Sequence, residues 1–196
     1  MKLNTFLLLI PLLLFFSCQP KSSQNKLGAE AYARYLTAGN EVSTATQATL
    51  LANISQAMQQ GGSLYAVEFC NLRAAGITDS LSRKWNCDIT RISEKNRNPE
   101  NALETGTDKE MWEYFYTLHR NGVQHDTVVA VDGQPVYYRP IVTGMPACLK
   151  CHGSPQETDP ATYSKIQELY PSDLAMGYQL NDFRGLWKIT FTNDTN

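Results

Sequence analysis

Apolar and polar residues in the first part of the chain recur with helical spacing. Residues 27–60 are rich in Ala, Leu, Gln and Glu, contain no proline, and place Leu36, Leu50 and Ile54 among their apolar positions. Gly39-Asn40 is a candidate division point, and Gly61-Gly62 predicts the end of this stretch. The sequence that follows predicts a helix over residues 63–75, closed by Gly76, and a shorter helical piece over residues 77–85.

After Trp85 the pattern changes to the alternation that is typical of strands. Residues 88–93 alternate and are rich in β-branched side chains, which predicts a strand, and residues 95–105 follow as a loop. Thr107-x-x-Glu110 has the form of a capping box and predicts a helix that ends near Asn121-Gly122.

Asp132-Gly133 is the strongest hairpin signal in the chain. It separates two β-rich runs, residues 127–131 and 135–142, which we expect to pair as antiparallel strands. Asp159-Pro160 predicts the start of a helix, because an acidic N-cap is followed by a proline at the first helical position. Tyr170-Pro171 predicts the end of that helix.

The order of these elements predicts the fold class. Residues 186–192 alternate again and predict a last, half-buried strand. Helices that come first and about four antiparallel strands that follow predict an α+β fold. At 196 residues, with 42% hydrophobic and 18% charged residues, the chain can form one domain with its own core. The net charge is −2 without a basic cluster, so nucleic acid is not an expected partner.

The N-terminal residues have the features of an export signal. Lys2 supplies a positive start, and the apolar run over residues 6–16 is shorter than the roughly 20 residues that span a bilayer. Ser17 precedes Cys18, which resembles the processing site of bacterial lipoproteins; a plain secretory signal that happens to carry a cysteine is the alternative. The segments expected are a signal peptide over residues 1–17, a lipid-modified Cys18 with a polar tether over residues 18–26, and a folded domain over residues 27–196.

These features predict the location of the mature protein. We expect an exported lipoprotein of the cell envelope or periplasm that contacts the membrane only through the lipid on Cys18.

Cys148-Leu149-Lys150-Cys151-His152 is the attachment signature of a c-type haem. Two thiols three positions apart lie on one helical turn, and each can form a thioether to the same porphyrin, while His152 can bind its iron. A thioredoxin-like dithiol or half of a zinc site is the alternative. Zinc would need a second ligand pair, and the sequence has no other C-x-x-C. We therefore expect covalently bound haem c with its iron at this motif.

The position of the motif excludes the usual helical cytochromes. Small helical cytochromes carry it near the N-terminus, and four-helix-bundle cytochromes carry it on their last helix. Here a hairpin precedes the motif and a strand ends the domain, so neither class fits.

Several further motifs, in this order, resemble a known family. They are Ala66-Val67-Glu68-Phe69-Cys70; Thr90-Arg91-Ile92-Ser93 with Lys95-x-Arg97-Asn98-Pro99-x-Asn101; Trp112-Glu113; Tyr138-x-x-Pro140-Ile141; Cys148 to Gly153; and Tyr170-Pro171-x-Asp173-x-Ala175-x-Gly177-Tyr178-x-x-x-Asp182-x-Arg184-Gly185. On these residues the chain resembles the PAS-like monohaem c-type cytochromes over about residues 27–191.

The resemblance implies a fold and a set of iron ligands. The fold would be a PAS-like antiparallel sheet behind long N-terminal helices, with a covalently bound haem c. The iron would be held by His152 as the proximal ligand and by a distal cysteine, which corresponds by position to Cys70. The departures from the family are minor: Asn181 stands where a glycine is common, and residues 143–145 are locally variable.

The remaining cysteines leave alternatives open. Cys70 lies on an apolar helix, where a free cysteine is often only a small buried side chain, and Cys87 has the same ordinary interpretation. A Cys70–Cys87 disulfide is the main competitor, because export permits it. It would leave the sixth iron position to water or to another side chain, for which the candidates are His119, His125 and Met176.

Four arginines are candidates to pair with the haem propionates, since buried carboxylates need charged partners. They are Arg91, Arg97, Arg139 and Arg184. Ordinary surface or structural pairing is the alternative for each of them.

Two functions follow from a haem with Cys/His ligation. The first is low-potential electron transfer with a redox partner protein, since a thiolate ligand stabilises ferric iron. The alternative is a redox or gas sensor that signals in trans to a partner protein, if Cys70 is released when the iron is reduced. An enzymatic role is not expected, because a six-coordinate iron has no open position and no acid–base group stands out.

Overall fold

The computed structural model describes residues 27–192, so the predicted signal peptide, Cys18 and the tether lie outside the described residues. Within that range no helix is both long enough and apolar enough to cross a bilayer. A short 3-10 turn lies at Pro99–Asn101. The helices and strands are α1 (Ala29–Trp85), β1 (Cys87–Ile92), α2 (Thr107–Arg120), β2 (Thr127–Val131), β3 (Gln134–Val142), α3 (Pro146–His152), α4 (Pro160–Leu169) and β4 (Phe183–Phe191).

The first helix, α1, is 57 residues long and is kinked once. The kink lies at Gly61 and Gly62, whose dihedrals leave the helical region, so the predicted break is confirmed. The predicted division at Gly39-Asn40 and the predicted end at Gly76 are wrong, because α1 continues through both. A single glycine costs a helix only about 1 kcal/mol, and packing against the sheet outweighs that cost.

The four strands form one antiparallel sheet in the order β1-β4-β3-β2. The β2–β3 hairpin turns at Asp132 (φ 50°) and Gly133 (φ 80°), which is the left-handed pair that such a two-residue turn requires. The α+β prediction is therefore confirmed.

Helices cover both faces of the sheet. On one face α1 packs over a core that contains Ile89, Tyr137 and Trp187, together with Val42 and Leu50 from the helix itself. On the other face α2 packs over a second core, which consists of Ile92, Met111, Trp112, Phe115, Val136, Tyr138, Phe183 and Leu186.

The start of α2 differs from the prediction. Gly106 (φ 78°) is the N-cap and Thr107 is the first helical residue, so the capping box predicted there is wrong. A buried carboxylate anchors this end of the helix instead: Asp108 accepts hydrogen bonds from the Tyr138 hydroxyl (2.6 Å) and from Lys188 Nζ (2.7 Å).

Close packing at one helix position yields a stability test. A Cβ at Gly39 would collide with the ring of Tyr137, whereas a Cβ at Gly76 would meet no atom within 4 Å. Gly39→Ala is therefore expected to lower the free energy of unfolding by about 1–3 kcal/mol. The control, Gly76→Ala, should raise it by about 0.5–1 kcal/mol, because alanine is the better helix former. Urea unfolding measures both; equal effects would contradict the packing argument.

Candidate haem site

Helix α3 places both motif cysteines on one face. Pro146 occupies the first turn, and the Cys148 amide donates to the Met145 carbonyl oxygen at 2.9 Å. Cys148 and Cys151 are half-buried free thiols three residues apart, so their side chains lie side by side. Residues 27–192 contain no group of three or more metal-binding side chains, so the zinc alternative finds no second ligand pair there.

The imidazole of His152 is held by the segment that follows α4. The Ala175 carbonyl oxygen lies 2.8 Å from His152 Nδ1, and a carbonyl can only accept, so Nδ1 carries the proton. Nε2 is then left with its lone pair, as a metal ligand requires. The Tyr178 amide donates to the His152 carbonyl oxygen (2.9 Å), and the Tyr178 ring meets the imidazole edge-on, with centroids 6.2 Å apart.

The environment of His152 keeps its imidazole neutral. Burial lowers the pKa of His152 well below its usual value, and the positive charges of Arg97 and Arg184 lower it further. The neutral form is the one that binds a metal.

Arg97 ties the motif helix to the segment that holds His152. Its guanidinium donates to the Cys151 carbonyl oxygen (2.6 Å) and to both carboxylate oxygens of Asp173 (3.2 and 3.1 Å). It also donates to the Ala175 carbonyl oxygen at 3.4 Å, which is the atom that accepts from His152. Arg97 therefore helps to fix the position of the His152 imidazole through the carbonyl oxygen that both groups contact.

Cys70, on α1, is a half-buried free thiol. Burial raises the pKa of the Cys70 thiol, while the nearby charges of Arg91 and Arg97 oppose that rise. The charge of Cys70 also contributes to the raised pKa of Cys151, so the helix thiol and the motif thiols are neighbours. Cys70 therefore lies near Cys151, and Cys148 and His152 share the helix α3 with Cys151.

Arg91 differs from the other charged groups of this region. Its guanidinium lies 5.8 Å from the centre of the Trp187 ring and makes no hydrogen bond or ion pair within residues 27–192. Burial lowers the pKa of Arg91, and the charges of Cys70 and Tyr170 oppose that effect. A half-buried cation without a partner is costly unless an anion completes the site.

The other two candidate arginines have protein partners. Arg184 donates to Ser93 Oγ (2.9 Å) and to the Lys95 carbonyl oxygen (3.0 Å). Arg139 is not brought to the site: it lies across Trp187 from Arg91 in the sheet and donates to Thr44 Oγ1 at 2.7 Å, on the first half of α1.

Comparison with known proteins agrees with this arrangement. The model of the Tll0287-like family matches residues 23–192. The chain belongs to the Tll0287-like family. It is also similar in fold to the solved structure titled the cyanobacterial heme-protein Tll0287, with a TM-score of 0.62 and 22% identity over 87% of this chain and 99% of that one. No curated protein matches the chain significantly. The family resemblance inferred from the sequence is confirmed.

The competing sixth ligands have other contacts in this member of the Tll0287-like family. His125 Nε2 is 2.8 Å from the Tyr114 hydroxyl, and the ring of His119 packs on Phe183, so both belong to the α2 side of the sheet. The sulfur of Met176 accepts from Arg97 at 3.3 Å. Met176 directly follows Ala175, whose carbonyl oxygen accepts from His152.

The disulfide alternative is not formed in the structure, where Cys70 and Cys87 are both free thiols. Cys87 is only 6% exposed and packs in the α1-side core. It is the first residue of β1, whereas Arg91 lies near the other end of that strand and Cys70 lies on α1. Burial, with a smaller contribution from Asp88, raises the pKa of Cys87 to about 11.

Three residues of the site had no role assigned from the sequence. They are Asp173, Ala175 and Tyr178, which hold Arg97 and His152. All three belong to the family motif that runs from Tyr170 to Gly185, but the motif alone does not tell which residues each of them contacts. Ala175 in particular acts through its backbone oxygen, which any residue supplies.

The Arg97–Asp173 pair is testable through stability. Its side chains are 13% and 6% exposed, so Asp173→Asn would leave a buried guanidinium without its counter-ion. We expect this change to lower the free energy of unfolding by about 3 kcal/mol. Glu168→Gln is the control, since Glu168 is 63% exposed in its pair with Lys165; its effect should stay within about 0.5 kcal/mol. Urea unfolding that gives similar losses for both would refute a special role for Asp173.

Proposed function

We propose that this protein is an exported c-type cytochrome that transfers single electrons at low potential. The observation that carries the proposal is the geometry of His152, whose Nδ1 donates to the Ala175 carbonyl oxygen, while Cys148 lies one turn before it and Cys151 directly before it on α3. The similar fold of a solved protein described as a heme-protein supports the same conclusion.

The residues present fit a haem c. Cys148 and Cys151 supply the two thiols for thioether bonds, and the neutral imidazole of His152 supplies the proximal ligand. Arg91 fits as the partner of a propionate, because it is the site's cation without a protein counter-ion or hydrogen-bond acceptor among residues 27–192. When bound, the haem supplies a one-electron ferric/ferrous couple.

Cys70 is proposed as the distal ligand and as the source of the low potential. Its closeness to Cys151, Arg91 and Arg97 supports this role, since both cations favour its thiolate form and oppose the rise in its pKa that burial causes. A thiolate bound directly to iron favours the ferric state. The positive charges of Arg91 and Arg97 favour the ferrous state instead. The charge of Arg97 is balanced by Asp173, and an anion at Arg91 would balance the charge of that residue too. The ligand effect therefore dominates.

The proposal places the protein outside the cytoplasmic membrane. It rests on the export signal over residues 1–17 and on Cys18 as the lipid-modified residue, and bacterial thioether attachment takes place on that side of the membrane. The partner would be a redox protein of the same compartment. With Cys70 bound, no ligand position is left for a substrate, so we propose a carrier and not an enzyme.

Covalent attachment is tested by mass. Protein exported from cells that mature cytochromes should carry the added mass of one haem, which denaturation does not remove. Cys148→Ser with Cys151→Ser should abolish the adduct, whereas Cys87→Ser should retain it, because Cys87 lies in the α1-side core. A colourless protein of unmodified mass would reject the proposed function.

The distal ligand is tested by spectroscopy of two matched variants. Cys70→Ala should remove the low-spin ferric thiolate signal in spin resonance and raise the reduction potential by about 100 mV or more, since axial ligands tune haem potentials over about 0.8 V. Cys87→Ala removes the other free thiol and should change neither. Identical spectra for wild type and Cys70→Ala would exclude Cys70 as the ligand.

A further inference from the structure

A cavity of about 430 Å³ lies between the C-terminal turn of α2 and the segment over residues 177–183. This segment follows Ala175, whose carbonyl oxygen accepts from His152. Its walls include Tyr116 and Arg120 of α2, and Lys95, Tyr178 and Phe183. None of Cys70, Cys148, Cys151, His152 and Arg91 lines it. The cavity therefore does not include these residues, but it adjoins the candidate haem site at Tyr178, whose ring meets the imidazole of His152. Its volume falls in the range of small-molecule pockets.

The walls combine aromatic rings with an excess of positive charge. Tyr116 and His119 both lie against Phe183, with ring centroids 6.1 and 5.8 Å apart. Lys95 and Arg120 are the cations. The single carboxylate, Asp182, is already engaged, because it accepts from the Gln179 amide at 2.6 Å. Flat apolar walls with two cations favour a planar ring that carries a negative charge.

We propose that this cavity binds a small aromatic carboxylate and that its occupation lowers the reduction potential of the bound haem. The second part rests on the proposed function, whereas the first part does not.

The physical link between the two sites is the segment over residues 175–178. Lys95 Nζ donates to the Met176 carbonyl oxygen at 2.5 Å and lies 4.3 Å from the centre of the Tyr178 ring. The neighbouring Ala175 carbonyl oxygen accepts from His152, and the Tyr178 amide donates to the His152 backbone. The Lys95 ammonium has three donors, so a bound carboxylate can pair with it while the Met176 contact is kept. The negative charge is then placed beside the segment that anchors the proximal histidine.

The sign of the effect follows from charge and linkage. A negative charge placed beside the proximal histidine favours the ferric state, which carries one more positive charge. The ligand must then bind the ferric protein more tightly than the ferrous protein, and by reciprocity its binding lowers the potential. A tenfold preference corresponds to about 59 mV for one electron, and a threefold preference to about 28 mV.

Calorimetric titration of the ferric, haem-loaded protein tests the binding. Benzoate is the probe, with benzyl alcohol as the ring without the charge and acetate as the charge without the ring. We expect benzoate to bind with one-to-one stoichiometry and at least tenfold more tightly than either control. Equal affinity for the three compounds, or no benzoate binding, would overturn the proposal.

Two variants of α2 locate the site. Arg120→Gln removes an exposed cation of the cavity wall and should weaken benzoate binding about tenfold. Lys109→Gln removes an equally exposed cation of the same helix that does not line the cavity, and should leave the affinity within about twofold of wild type. Equal losses in both variants would indicate nonspecific attraction and contradict the site.

Redox titration with and without saturating benzoate tests the coupling. A fall of about 28–59 mV in wild type, absent in Arg120→Gln, is the expected result. Binding without any shift would leave the cavity as a site but refute its link to the haem. A protein that carries no haem would fail the proposed function, while calorimetry on that protein would still decide whether the cavity binds the probe.

Discussion

The hydrogen bond between His152 Nδ1 and the Ala175 carbonyl oxygen is the interaction on which the rest of the site depends. It determines the tautomer of the imidazole and therefore which nitrogen is left to act as a ligand. The fold provides for this bond twice: Arg97 holds the acceptor, and two backbone hydrogen bonds just after it join residues 177–178 to residues 152–153. A motif helix of only seven residues could not hold its histidine in this way by itself.

Three guanidinium groups lie near the neutral imidazole of His152, and they differ in the groups that balance their positive charge. Arg97 has Asp173, and Arg184 has Ser93, a backbone carbonyl and the face of Tyr178 at 5.1 Å. Among residues 27–192, Arg91 has only the ring of Trp187. This difference is the reason why we propose Arg91, of the four sequence candidates, as the partner of a propionate, although the sequence offered no way to rank them.

Sequence reasoning succeeded where a few adjacent residues determine the local structure. Asp132-Gly133 predicted the hairpin, and Asp159-Pro160 predicted the start of α4, where the Asp159 carboxylate accepts from the Thr162 amide at 2.9 Å. It failed where residues that are distant in the chain determine the local structure. Gly39 was interpreted as a helix break, but it is the position at which α1 comes closest to Tyr137, nearly one hundred residues away in the chain. The partners of Arg97 and Arg139 likewise depend on packing that no local pattern encodes.

The kink in α1 has a consequence for the arm of the helix that carries Cys70. Gly62 adopts φ 67° and ψ −163°, a conformation that is essentially closed to residues with a side chain. Beyond it, α4 supports the new direction of the helix through the contact of Ser63 Oγ with Thr162 Oγ1 at 2.7 Å. The direction of the arm that carries this thiol is thus encoded two turns upstream by Gly62, where an added Cβ would meet no atom within 4 Å and the backbone angles alone require glycine.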